Sequence, residues 1–155
     1  MRVRMPIEER VGLHVKRVEQ ELMAAKNEVL RPLGLTVPQY AALLLLAENP
    51  GMSAAALARG CLVTPQTMAT VLGNLETKSL VRRHPHRWHR NVMEVQLTDD
   101  GKALLERADA AATAIERGIA ANFSATERAE LIAMLARVSD HLNKTGDQQT
   151  APAST

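Results

Sequence analysis

The chain has 155 residues, the size of one ordinary domain, and a formal net charge of +2 from 19 basic and 17 acidic side chains. Apolar residues make up 46% of it but aromatic ones only 2%, so the core must be built from Leu, Val, Ala and Met, which suits helices. The longest apolar run, residues 40–47, is too short to span a bilayer, no apolar signal region opens the chain, and the lone Cys61 closes no internal disulfide, so no membrane partner and a cytoplasmic location are expected.

The first predicted helix covers residues 6–31. Val11, Val15, Val18, Leu22, Ala25 and Val29 are spaced alternately four and three apart, a coiled-coil-like stripe that needs a partner surface. Pro32 and Gly34 end this helix. Thr36 and Gln39 form a capping box at the head of a second helix, which runs to Glu48 before the turn Asn49-Pro50-Gly51. Ser53 caps a short Ala-rich third helix that ends near Gly60. Thr64, followed by Pro65, caps a fourth that ends near Lys78.

Two short strands follow, over residues 80–84 and 92–97. The second sets Met93, Val95 and Leu97 on one face. Thr98, Asp99 and Asp100 open a fifth helix that runs to about Asn122, with acids in its first turn where the helix dipole favours them. A capping box of Ser124 and Glu127 starts a sixth, striped by Leu131, Leu135, Val138 and Leu142. Residues 143–155 have no apolar period and are expected to be disordered. Helix, short helix, helix and hairpin in that order predict a mainly α fold, a winged helix-turn-helix with a small β-hairpin wing, flanked by long terminal helices.

Charge is unevenly spread along these elements. Residues 57–98 hold six basic and two acidic side chains, whereas residues 1–56 are near neutral and residues 99–155 are acidic. A basic module of this kind most often faces a polyanion.

On the fourth helix, Met68, Val71, Leu72 and Leu75 share one face, and Gln66, Thr67, Thr70 and Asn74 share the other. That second face is polar, uncharged and short-chained, whereas a face turned only to water usually carries Lys and Glu. Gln and Asn can pair with adenine in the major groove and threonine methyls can pack on thymine, which leans the readout toward A·T. Such a face supplies little phosphate attraction. The hairpin does: Arg82, Arg83, Arg87 and Arg90 can reach phosphates or a narrow minor groove. Trp88 between them can stack on an arginine or a sugar, or fold back to pin the wing. His84, His86 and His89 suggest a metal site only weakly, because no Cys is near, the nearest carboxylate is Glu94 and a proline intervenes. No metal is expected.

Three stretches carry a family resemblance: LTVPQYAAL at the second helix, VTPQTMATVLGNLETKSLV over the fourth helix and first strand, and Leu97-Thr98-x-x-Gly101 with Leu104-Leu105-Glu106. Over residues 10–142 the chain resembles the MarR family of bacterial transcription regulators. The resemblance implies a single domain over residues 1–142, with a DNA-binding lobe over 36–98 and dimerisation helices over 6–31 and 99–142. It implies a homodimer in which Val11, Val15, Val18, Leu22, Leu131, Leu135, Val138 and Leu142 find their partner. Double-stranded DNA with a pseudo-palindromic operator is the implied target, each recognition helix lying in the major groove of a half-site and the wings in the minor grooves.

Thr64, Gln66, Thr67 and Thr70 fall on the family's recognition-helix positions, and Arg90 on its wing arginine. The wing departs from the family's usual Asp-Arg-Arg, reading His89-Arg90-Asn91, so Trp88 and His89 are the candidates for holding it. Thr70 stands where a basic residue is common.

The resemblance also implies a repressor released by a small aromatic or phenolic ligand. His14 and Tyr40 are candidates to line its pocket, against the plainer reading of an interface histidine and a core tyrosine. Cys61, in the turn before the fourth helix, raises the alternative of a redox-responsive regulator, against that of a small packing residue. A winged-helix protein-interaction module is the other alternative, disfavoured because a protein-binding wing has no need of four arginines. No enzyme is expected and no cofactor, since there is no phosphate loop, nucleophile elbow or metal-spaced cluster.

Overall fold

The computed structural model describes residues 4–85, 87 and 92–149. Trp88, His89 and Arg90 of the wing, His86 of the histidine cluster and residues 150–155 of the tail lie outside the described residues. The described residues fall into two compact units, within residues 1–115 and 116–149.

The first unit opens with a 3-10 turn, Ile7–Glu9, and α1, Val11–Leu30. The expected helix from Pro6 is thus broken once, because the extended backbone of Arg10 (φ −81°, ψ 93°) separates the two pieces. A second 3-10 turn, Arg31–Leu33, leads to Gly34, and then come α2 (Val37–Glu48), α3 (Ala54–Gly60) and α4 (Pro65–Thr77). The predicted caps are made. The Thr36 hydroxyl accepts the Gln39 N–H while the Gln39 side chain accepts the Thr36 N–H, and Ser53 and Thr64 accept from Ala56 and Thr67.

Three strands form one antiparallel sheet in the order β1–β3–β2: β1 Met52–Ser53, β2 Val81–Pro85 and β3 Met93–Leu97. Val81 pairs with Leu97 and Pro85 with Met93, so the two predicted strands make the hairpin as expected. β1 was not predicted. It has two residues, too few to show a period, and exists only because Met52 pairs with Val95 and Ser53 with Glu94.

The core gathers the apolar faces of all these elements. Leu30, Leu43, Leu46, Leu57, Met68, Leu72, Leu75, Val81 and Val95 are fully buried. Each large one contributes about 1.5–3 kcal/mol relative to exposure. Tyr40 of α2 is buried beside them, and its hydroxyl donates to Asp109 Oδ1 of α5 (Asp99–Ala120) at 2.8 Å.

Two helices end in the same way. After α3, Val63 N donates to Ala58 O and Leu62 N to Arg59 O. After α4, Leu80 N donates to Leu75 O and Ser79 N to Glu76 O. This pairing needs a left-handed residue, usually glycine, yet Leu62 (φ 55°) and Ser79 (φ 58°) hold those places.

The second unit contains the C-terminal end of α5 and α6, Ala125–Gln149. Ser124 and Glu127 form the predicted capping box, with Ser124 N–H donating to Glu127 Oε2 at 2.7 Å and Glu127 N–H to Ser124 Oγ at 3.2 Å. Arg128 donates to the carbonyls of Ala120 and Phe123, tying the turn together. The expected disorder of the tail is corrected over residues 143–149, which continue α6. A helix already nucleated gains a hydrogen bond for each further residue it fixes, so it extends into polar sequence without an apolar stripe.

Helix order, tight turn and hairpin make this a winged helix-turn-helix, with α3 and α4 as the helix pair and β2–β3 as the wing. No single helix among the described residues is long and apolar enough to cross a membrane.

Candidate nucleic-acid interface

The sequence expectation for α4 rests on its two faces, and the structure separates them. Met68, Val71, Leu72 and Leu75 are buried, while Thr64, Gln66, Thr67, Thr70 and Asn74 are exposed. The threonines are set by local bonds. Thr64 Oγ1 donates to Thr67 Oγ1 at 2.9 Å, so the cap also orients the next threonine. Thr70 Oγ1 donates back to Gln66 O at 3.3 Å, which engages its hydroxyl proton within the helix.

Alternation along β2 divides its two arginines. Arg83 shares a face with buried Val81 and meets Glu76 of α4, with Nη2 at 2.7 Å from Oε2. Arg82 is exposed and makes no ion pair among the described residues. The two were expected to act alike, but only Arg82 is left to meet an outside anion. Arg83 instead ties the wing strand to α4, a role invisible in sequence because Glu76 lies on another element. Arg87 is described and exposed at the tip. His84 faces Glu94 across the hairpin at 3.5 Å, and no group of metal-ligating side chains occurs among the described residues.

Arg59, in the last turn of α3, is exposed close before α4 and belongs with the basic residues of this lobe. Sequence reading passed over it. Its place in the basic middle third was the available signal.

The other candidates lie elsewhere. His14 is exposed on α1, its Nε2 paired with Glu8 O at 3.0 Å, in an open depression lined by Ile7, Leu13, Lys16 and Arg17. Tyr40 is not among the residues lining that depression; it is buried on α2 with its hydroxyl on Asp109. Cys61 is half-buried, and burial pushes its thiol up, against the thiolate a sensor needs. Of the interface candidates, Val11, Val15, Val18, Leu131, Leu135 and Leu142 are exposed, and Leu22 and Val138 are half-buried.

Comparison with known proteins agrees with this geometry. The sequence profile of the MarR family matches residues 33–90, from the turn before α2 to a point beyond the first wing strand and short of β3. The chain is 36% identical over 128 residues to the HTH-type transcriptional repressor Rv2887 of Mycobacterium tuberculosis, covering 83% of this chain and 92% of that protein. The crystal structure of Rv2887 in complex with p-aminosalicylic acid superposes with a TM-score of 0.66 over 83% of this chain and 98% of the other. The transcriptional repressor CouR, bound to a 23-mer DNA duplex, is 28% identical and superposes with a TM-score of 0.78, covering 90% of this chain and 99% of that one. A capped α4 with a buried apolar face and an exposed polar one, a basic wing strand beside it, and relatives this similar along nearly their whole length place the chain in the MarR family.

Proposed function

We propose that this protein is a homodimeric, sequence-specific DNA-binding transcription regulator, a repressor that a small aromatic acid releases from its operator. The observation that carries this is the pairing, in one lobe, of an uncharged exposed face on α4 (Gln66, Thr67, Thr70, Asn74) with an exposed arginine on the adjoining wing strand (Arg82) that makes no ion pair among the described residues. The first group suits base edges and the second suits phosphate, the two kinds of contact that a specific complex combines. Arg87, Trp88, His89 and Arg90 complete the proposed contact set, while Arg83, also a candidate from sequence, holds the wing strand to Glu76 of α4. Binding of CouR to a duplex supports the same target here.

The dimer follows from apolar surface. Val11 and Val18 of α1 are 58% and 60% exposed, and α6 exposes Ile132, Met134, Leu135 and Leu142 without burying one side chain among its described residues. A helix striped in this way takes most of its stability from a packed partner. A second copy buries both stripes and spaces two α4 helices for a pseudo-palindrome. Release by an aromatic acid is drawn from Rv2887, crystallised with p-aminosalicylic acid. A regulator of this family is no enzyme, and its place is with the chromosome in the cytoplasm.

The test is a selection from random-sequence duplexes, followed by gel shift at two salt concentrations with and without salicylate-type acids. A palindromic consensus, binding that weakens with salt and release by the acid are expected. Failure to enrich any sequence would sink the proposal.

A further inference from the structure

The turn between α3 and α4 closes on Leu62, and that residue is anomalous twice. Its φ of 55° lies in the left-handed region, where glycine sits freely and leucine is strained. The residue is 93% exposed, the most of any large hydrophobic among the described residues. The backbone bonds that close the turn are complete without the side chain, from Leu62 N to Arg59 O and from Val63 N to Ala58 O. Glycine would satisfy all of them at lower strain. Neither the core nor the exposed stripes of α1 and α6 use this leucine. Strain kept at one residue together with fully exposed apolar surface calls for an outside partner.

Its neighbours say which one. Two residues on is Thr64, where the exposed polar face of α4 begins, and three residues back is exposed Arg59. We infer that Leu62 is a DNA-contacting residue whose side chain packs on apolar surface of the duplex at the edge of the groove that α4 enters. That surface is either a thymine 5-methyl or the face of a deoxyribose. The inference rests on the DNA-binding reading above and adds a contact that is neither charged nor hydrogen-bonded. Because no counterion is displaced by it, its share of the affinity is independent of salt.

The experiment compares wild type, Leu62→Gly and Leu62→Met on a duplex that the wild-type dimer has selected from a random pool, and on the same duplex with uracil in place of thymine. Leu62→Gly is expected to melt at or above the wild-type temperature. It is expected to bind the thymine duplex about fivefold or more weaker, with an unchanged slope of log affinity against log salt. Leu62→Met, which keeps apolar bulk, is expected to bind like wild type. If uracil weakens the wild type more than Leu62→Gly, the contact is the thymine methyl. If uracil affects the two alike, through the threonines of α4 or not at all, the contact is the sugar. Equal binding by Leu62→Gly and wild type overturns the inference and leaves the DNA-binding reading standing. So does weaker binding by Leu62→Gly accompanied by a lowered melting temperature, since the residue would then be structural. A wild type that selects no duplex overturns both.

Discussion

Gly101, in the first turn of α5, lies against the backbone carbonyl of Leu80, the residue that follows the turn after α4. A Cβ at position 101 would overlap that carbonyl oxygen. The contact is framed by Thr98, whose N–H donates to Leu80 O and whose hydroxyl donates to Ser79 O while accepting from Gly101 N–H. The Leu-Thr-x-x-Gly motif is therefore a joint that pins the start of α5 to the strand carrying Arg82 and Arg83.

Gly101→Ala is expected to destabilise the protein by about 3 kcal/mol, at the upper end for overpacking, because the atom it strikes is backbone and cannot rotate away. Gly73→Ala is the control. A Cβ there meets nothing, so α4 should gain up to about 1 kcal/mol from better helix propensity. Denaturant titration of both variants checks this. Equal effects would refute the joint.

The two wing-strand arginines should separate in a salt titration. Arg82→Ala is expected to weaken binding to all duplexes alike and to lower the salt slope by about 1. Arg83→Ala removes the partner of Glu76 and should leave that slope unchanged, because its charge is already engaged on α4. Fluorescence anisotropy over a range of salt concentrations reads both.

Tyr40→Phe removes the hydroxyl that donates to Asp109. A hydrogen bond to a carboxylate is worth about 1.5–3 kcal/mol, and this one is part-buried, so a loss near the lower figure is expected. A double-mutant cycle with Asp109→Ala should return a coupling of similar size. A coupling near zero would mean that the bond contributes nothing.

Burial of Cys61 raises its thiol above the ordinary value, so less thiolate is present near neutrality than in a free cysteine. Its alkylation by iodoacetamide should be slower than that of a cysteine peptide at pH 8 and should recover as pH rises. Cys61→Ala should bind DNA with and without peroxide as wild type does. Loss of peroxide sensitivity in that variant alone would restore the redox alternative.

Glu127 is held below the usual carboxylate range by the backbone and side-chain hydrogen bonds of Ser124. A lowered folded value stabilises the charged form, so its contribution to the cap is present above the unfolded value and is lost as pH falls through the folded one. Carboxyl NMR titration should place Glu127 below an ordinary exposed glutamate, and Ser124→Ala should move it back up.

Most of the elements were legible because their signals are local. The capping pairs of α2 and α6, the threonine and proline that open α4, and the alternation of β3 each act within a few residues. The buried face of α4 was readable from period alone. Where reading failed, the cause lay in neighbours distant in sequence or in chain continuation. Arg82 and Arg83 look equivalent along the chain, and only the position of Glu76 on α4 distinguishes them.

The sequence by itself determined the helices, their caps and the polar face of α4, because a helix reports its environment through its own period and ends. Only the tertiary structure decided what those elements do to one another. Tyr40 finds Asp109 across 69 residues of chain, Met52 and Ser53 become a strand only against β3, and Gly101 is required only because Leu80 arrives beside it. Such contacts depend on how separate elements pack, and packing leaves no periodic trace in the residues that make it. Leu62 stands between the two: its type is plain in the sequence, but its strain and exposure appear only once the turn has closed.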